Sequence, residues 1–252
     1  MSASQSSQPP VIVTAAILVI GDEILSGRTK DKNIGYIAEY LTNIGIELRE
    51  VRVVPDVTDE IVAALNALRA RYTYVFTTGG IGPTHDDITA DAVAAAFGVS
   101  IDHDPRAVAM MRERFAAEEL NEARMRMTRI PAGAELIANS VSKAPGFNIG
   151  NVYVMAGVPA IMQAMLDVVA PTLKTGTKIL SDTVRAGLRE GDIGGPLAAV
   201  AKAHPGVSIG SYPFWSETGP DTNIVVRSRD PRRLEAAMDA VRQMIEACRK
   251  AG

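Results

Sequence analysis

Residues 77–92 read TTGGIGPTHDDITADA, and the fold turns on how this stretch is taken. The preceding YVFTT has the apolar, β-branched character of a buried strand, and ITADAVAAAFG after it has helical spacing with Gly98 as a C-cap. A turn rich in glycine (Gly79, Gly80, Gly82) then joins a strand to a helix, with Pro83 and Thr84 completing it. Backbone N–H groups in such a turn, at the positive end of a helix, favour an anion. The turn is not a P-loop, because Pro83 and Thr84 stand where Lys and Ser/Thr are required. It is not a dinucleotide fingerprint either, because His85 occupies the place of the third glycine. Asp86, Asp87 and Asp91 follow. Carboxylates beside a bound phosphate repel it unless a cation lies between them, and Mg²⁺ uses one or two carboxylates together with phosphate oxygens. The alternative is that Asp86 or Asp87 caps the helix starting near Ile88.

Working outward, VIVTAAILVI reads as a first strand, with ILVIG buried on both faces. GDEILSGRTKDKN reads as a loop, IGYIAEYLTNIG as a helix and ELREVRVVPD as a second strand ended by Pro55. Thr58 reads as the N-cap of DEIVAALNALRARY. DPRAVAMMRERFAAEEL reads as one long helix with Pro105 first, NVYVMAG as a strand and PAIMQAMLDVVAPTL as a helix. This alternation predicts an α/β domain over residues 11–175, three layers (αβα) around a mostly parallel sheet. Asp22 and Glu23 at the end of the first strand, and Asp56 at the end of the second, then share one sheet edge with the glycine turn. After TLKTGTK the order becomes βαββα, which predicts a small α+β unit over 176–252. Residues 1–10 read as a disordered polar tail.

The chain has 252 residues, 47% hydrophobic and 22% charged, with a net charge of −3. That balance gives no strong pull toward nucleic acid or an anionic membrane. The apolar run at residues 11–20 is about half of what a bilayer span needs, and with no positive charge before it it makes a poor signal peptide. Cys248, the single cysteine, cannot form an internal disulfide, which suits the cytoplasm. His85 reads as solvated, with phosphate or metal contact as the alternative, and His103 and His204 read as structural or exposed. Arg124, Arg126 and Arg129 read as a solvated helix face, with phosphate contact as the alternative. Lys143 stays open between solvent and an anion. Tyr212, Phe214 and Trp215 read as core or interface packing, and Met110, Met111, Met125 and Met127 as buried or partner-facing.

TTGGIGPTHDDITADAVAAAFG resembles the signature of the molybdopterin-binding (MoaB/Mog) superfamily, in the branch that holds the N-terminal domains of CinA and of eukaryotic FAD synthase. GDEILSGRTKDKN resembles that family's first-strand motif (Gly21, Asp22, Glu23, Gly27, Asp31, Asn33). The segment ending in Asn139 and Ala144-Pro145-Gly146 resembles another branch motif. VMAGVPAIMQAML resembles the family's Pro-Gly-x-Pro turn, with Ala156 in place of the first proline, and VSIGSYPFW a motif of the small appended domain. The resemblance implies that Asp56 and Asp87 are the catalytic pair. It also implies that Gly79 to Thr84 bind phosphate, and that Asp22, Asn33, Asn139, Gly157 and Pro159 help line the ligand pocket. A divalent metal (Mg²⁺ or a transition metal) on Asp87, Asp56 and Asp86 and a homo-oligomeric state are implied too. The activity implied is metal-dependent hydrolysis of ADP-ribose or FAD-like dinucleotides. The alternatives are adenylylation of molybdopterin, or non-catalytic binding of a pterin or nucleotide. Because the chain stops after the small unit, the amidase and FAD-forming reactions of longer relatives are not expected of it.

Overall fold

The computed structural model describes residues 10–217 and 219–251, so most of the polar tail lies outside it. The described chain divides into two compact units, Val11–Gly176 and one starting at Thr177. The first contains β1 (Val13–Ile20), α1 (Asp22–Leu25), α2 (Asn33–Asn43), β2 (Ile46–Val54), α3 (Thr58–Arg71), β3 (Tyr74–Thr78) and α4 (Thr89–Phe97). Then come β4 (Ile101–His103), α5 (Pro105–Arg112), α6 (Glu122–Arg126), β5 (Arg129–Pro131), β6 (Glu135–Ile137), β7 (Gly146–Ile149), β8 (Val152–Met155) and α7 (Pro159–Val169).

The main sheet has six strands in the order β2-β1-β3-β8-β7-β6. β1 pairs in parallel with both β2 and β3, and β3 with β8, while β7 is antiparallel to β8 and β6. The side-chain period of two sorts β1 onto two cores. Ala16, Leu18 and Ile20 pack with Ile61, Leu65 and Leu68 of α3 and Val93 of α4. Ala15, Ile17 and Val19 pack with Ile37 and Leu41 of α2 and Met162 and Leu166 of α7. Helices therefore cover both faces, which is why β1 and β3 are continuous buried runs. Each fully buried Leu or Ile contributes about 1.5–3 kcal/mol relative to exposure. The chain moves from β1 to β2 on one side, then crosses back to β3 on the other. This places a topological switch point between β1 and β3, and a crevice opens outside their carboxyl ends.

The structure corrects several local expectations. Asp22–Leu25 is a short helix, not loop. Thr58 is the first residue of α3 rather than its cap, since Val57 holds the N-cap position and makes no side-chain cap bond. α5 ends at Arg112 because no side chain between Met111 and Thr128 is buried, leaving nothing to hold a longer helix. β4 to β7 are only three or four residues each, too short for periodicity to reveal.

The second unit contains β9 (Leu180–Arg185), α8 (Glu190–Ala203), β10 (Ser208–Ser216), β11 (Gly219–Ser228) and α9 (Pro231–Ala251). Its antiparallel sheet, β10-β11-β9, buries Ile224 and Val226 against Ile193 and Leu197 of α8 and Met238, Val241 and Ile245 of α9. α8 starts at Glu190, six residues ahead of Pro196, because Ile193 in its first turn is fully buried. Among the described residues no helix is long and apolar enough to cross a membrane.

Candidate functional site

The glycine turn follows β3 at the crevice. Gly79 has φ 104, and a Cβ there would lie 2.1 Å from the Ile20 carbonyl oxygen at the end of β1. Thr89, the first residue of α4, closes the turn. Its N–H donates to the Gly80 carbonyl at 3.0 Å and its hydroxyl to the Gly79 carbonyl at 3.0 Å. The carbonyls thus point back toward the helix. The N–H groups of Gly80, Ile81 and Gly82 find no acceptor among the described residues. Three consecutive free donors are what an anion requires.

Asp87 does not cap α4: Ile88 holds the N-cap position without a side-chain cap bond. Its Oδ2 instead accepts the Thr84 N–H at 2.8 Å and the Thr84 hydroxyl at 2.5 Å. These bonds fix one carboxylate oxygen and leave the other uncommitted. Asp86 is exposed. Pro83 and His85 are exposed and line no cavity found at the turn.

Asp56 is half-buried at the end of β2, where its Oδ2 accepts the Asp22 N–H at 2.9 Å. Burial pushes its carboxyl above the usual range, the Asp22 N–H opposes this, and the charges of Asp22, Glu23 and Asp86 add to the rise. Four carboxylates thus act on one spot. No three His, Cys, Asp or Glu side chains among the described residues converge as a ready metal cage. Asp91 is not available to a metal, because Arg129 grips it with two hydrogen bonds of 2.8 and 2.6 Å.

A cavity of about 230 Å³ lies on one side of Gly79, lined by Thr78, Gly79, Asn33, Gly157 and Pro159, with Lys30 and Lys32 also on its wall. Asn33 is buried, and its Nδ2 donates to the Gly157 carbonyl at 2.8 Å. That bond sets the amide orientation and leaves Oδ1 buried with no partner. The Thr78 hydroxyl is buried and unpartnered as well. Unsatisfied buried oxygens are rare in finished structures, and a ligand bearing N–H groups would satisfy these. The volume is below the ~300–1,000 Å³ of drug-sized sites and suits one ring system, not a whole dinucleotide.

Asn139 does not join this group. Its Nδ2 donates to the Ala144 carbonyl at 2.6 Å, and its Oδ1 takes the N–H groups of Val141 and Ser142 and the Ser142 hydroxyl. It shapes the loop before Pro145, with its side-chain oxygen fully committed there. Lys143 pairs with Glu113 at 2.7 Å. Arg126, taken from sequence as solvated, lines a second, small cavity with Gly80, Gly82 and Asp87. Thr78, Thr89 and Lys30 were not singled out from sequence. The one available signal was a pair of threonines ending a fully buried strand.

Fold and site together define a class: a three-layer α/β domain with a glycine turn and carboxylates gathered at the carboxyl edge of its parallel strands. Residues 16–175 match the family model described as "Probable molybdopterin binding domain", and residues 178–249 the one described as "FAD synthase, middle domain". The chain belongs to the molybdopterin-binding (MoaB/Mog) family, in the branch of CinA-like proteins and FAD synthases. A protein of Pyrobaculum calidifontis is 33% identical over 251 residues, covering 92% of this chain and 95% of its own length. A CinA-like protein of Desulfosudis oleivorans is 37% identical over 230 residues, covering 86% of this chain but 55% of its own length. The solved structure of the protein CinA from Thermoplasma acidophilum aligns with a TM-score of 0.61 at 33% identity, covering 64% of this chain and 98% of its own.

Proposed function

We propose that the Val11–Gly176 unit holds a phosphorylated nucleotide or pterin across the glycine turn and hydrolyses the diphosphate of ADP-ribose- or FAD-like dinucleotides with a divalent metal. The observation that carries this reading is the row of free N–H groups at Gly80, Ile81 and Gly82. It lies between a cavity with two unpartnered buried oxygens and carboxylates that form no ion pair among the described residues. The cavity would take one ring system, with Asn33 Oδ1 and Thr78 Oγ1 meeting its N–H groups, and the turn would take the phosphate.

The donor set fits a metal held partly by its ligand. Asp56 and Asp86 would supply one or two carboxylates, as Mg²⁺ uses when phosphate oxygens and water complete its shell. When bound, the metal would neutralise the diphosphate and acidify a water. Asp87, fixed through Oδ2 by Thr84, would accept the proton of the attacking water on its free oxygen. The water oxygen forms a new P–O bond, and the bridging P–O bond breaks with its electron pair going to the leaving phosphate. ADP-ribose would yield AMP and ribose 5-phosphate; FAD would yield AMP and FMN.

The test is turnover of ADP-ribose, FAD and related dinucleotides with Mg²⁺, Mn²⁺, Co²⁺ and Ni²⁺ in turn. No turnover above an Asp87→Asn control sinks the hydrolase reading. Pyrophosphate release from ATP that requires molybdopterin would select the adenylyl-transfer reading, which the match to a molybdopterin-binding model favours. Binding that survives both Asp56→Asn and Asp87→Asn, without turnover, would select a non-catalytic module.

A further inference from the structure

Every carboxylate near the glycine turn adds negative charge, so a phosphate seated there needs a protein cation as well as any metal. A P-loop supplies a lysine from its own sequence, and here Pro83 and Thr84 stand in that place. Arg126, the last residue of α6, arrives from 39 residues further along the chain and donates through Nη2 to the Asp87 carbonyl at 3.3 Å. Its Nε is buried and has no hydrogen-bond partner. Arg126 lines a cavity of about 20 Å³ together with Gly80, Ile81, Gly82 and Asp87. That volume is room for about one water-sized group, and so for one phosphate oxygen. The other arginine on this cavity, Arg129, is committed to Asp91. Arg126 has no carboxylate within ion-pair distance among the described residues.

We propose that Arg126 is a phosphate-recognition residue of this site: its buried Nε–H, with the free N–H groups of Gly80 to Gly82, receives a phosphate oxygen of the ligand. The inference rests on the reading that the turn holds phosphate. A guanidinium suits the task because it is always charged and its donors lie in a fixed fork, so one arm can hold the Asp87 carbonyl while another meets the ligand. The same side chain would thereby set Asp87 against the bound phosphate.

The test is calorimetric binding of inorganic pyrophosphate and of ADP-ribose to the full chain, with thermal melting of each variant without ligand. Arg126→Met should weaken both ligands at least ~10-fold, the scale of one charge-assisted hydrogen bond. Arg126→Lys should lose less, since charge remains without the fork. Arg124→Met is the control and should bind as wild type, because Arg124 faces the Glu119 carbonyl and the Phe115 ring. If Arg126→Met melts normally and binds both ligands as wild type, a water is the partner of Nε and the inference falls alone. If Arg126→Met is too unstable to titrate, Arg126→Lys decides: affinity for both ligands equal to wild type overturns the inference, and weaker binding with a normal melt supports it. If wild type binds neither ligand, the inference and the proposed function fall together.

Discussion

Replacing Gly79 by alanine should damage the site by a route that a matched control can isolate. Two costs apply. At φ 104 the backbone lies outside the regions alanine favours, and the added Cβ would sit 2.1 Å from the Ile20 carbonyl oxygen. Gly98, which ends α4 at φ 66, shares the first cost but not the second, since a Cβ there meets nothing within 4 Å. A left-handed alanine costs ~1–2 kcal/mol, offset by ~0.4–1 kcal/mol through a stiffer unfolded chain. Gly98→Ala should therefore cost about 1 kcal/mol. Gly79→Ala must also prise apart the ends of β1 and β3, which adds ~1–3 kcal/mol as overpacking does. The expected total is about 2–4 kcal/mol, or roughly 5–15 °C in the melting of this unit. Thermal melts of both variants give the comparison directly. If Gly79→Ala melts within a degree of Gly98→Ala, β1 and the glycine turn are not in the close contact argued above.

Three further outcomes are expected. Asp56→Asn should raise the melting temperature of metal-free protein at neutral pH while abolishing turnover. Its carboxyl is raised by burial and by the neighbouring charges, so folding favours the protonated form. The wild-type contribution is therefore present at low pH and lost as pH rises through the raised folded-state value; a variant that is less stable than wild type in EDTA at pH 7.5 would contradict this. Thr84→Val removes the hydroxyl bond to Asp87 but keeps the N–H bond, and should lower kcat ~10-fold with little change in KM; steady-state kinetics on ADP-ribose would show it. Asn139→Ala breaks the bonds that shape the loop before Pro145 and should cost ~2–3 kcal/mol in denaturant unfolding, with ligand affinity reduced only through loop order.

The layered architecture was legible because burial on both faces leaves a plain mark: β1 and β3 are nearly unbroken apolar runs, α2 stops just before Gly45, α4 stops at Gly98 and α7 begins at Pro159. The glycine turn was legible from local chemistry, since glycine alone supplies the backbone freedom and close approach that the turn needs, and proline fixes φ. What was hidden depends on contacts distant in sequence. Asn139 looked like a pocket residue by motif, yet its hydrogen bonds are spent within five residues of itself. Asp91 looked like a free carboxylate until Arg129, 38 residues away, took it. The sequence left Asp87 open between a ligand site and a helix cap; Thr84 reaches its carboxylate, and capping needs an orientation that sequence does not specify. The unpartnered oxygens of Asn33 and Thr78 appear only once neighbouring groups have been placed around them.

Hydrolysis at this site requires a diphosphate held at the glycine turn and cleaved there with Asp87 taking the proton. The direct measurement is a ³¹P spectrum of ADP-ribose incubated with the protein and a divalent metal in H₂¹⁸O. The diphosphate signals are expected to give way to two monophosphate signals, one carrying a single ¹⁸O, and Asp87→Asn or EDTA is expected to prevent this. Diphosphate signals that persist with wild type, or vanish equally fast with Asp87→Asn, would contradict it.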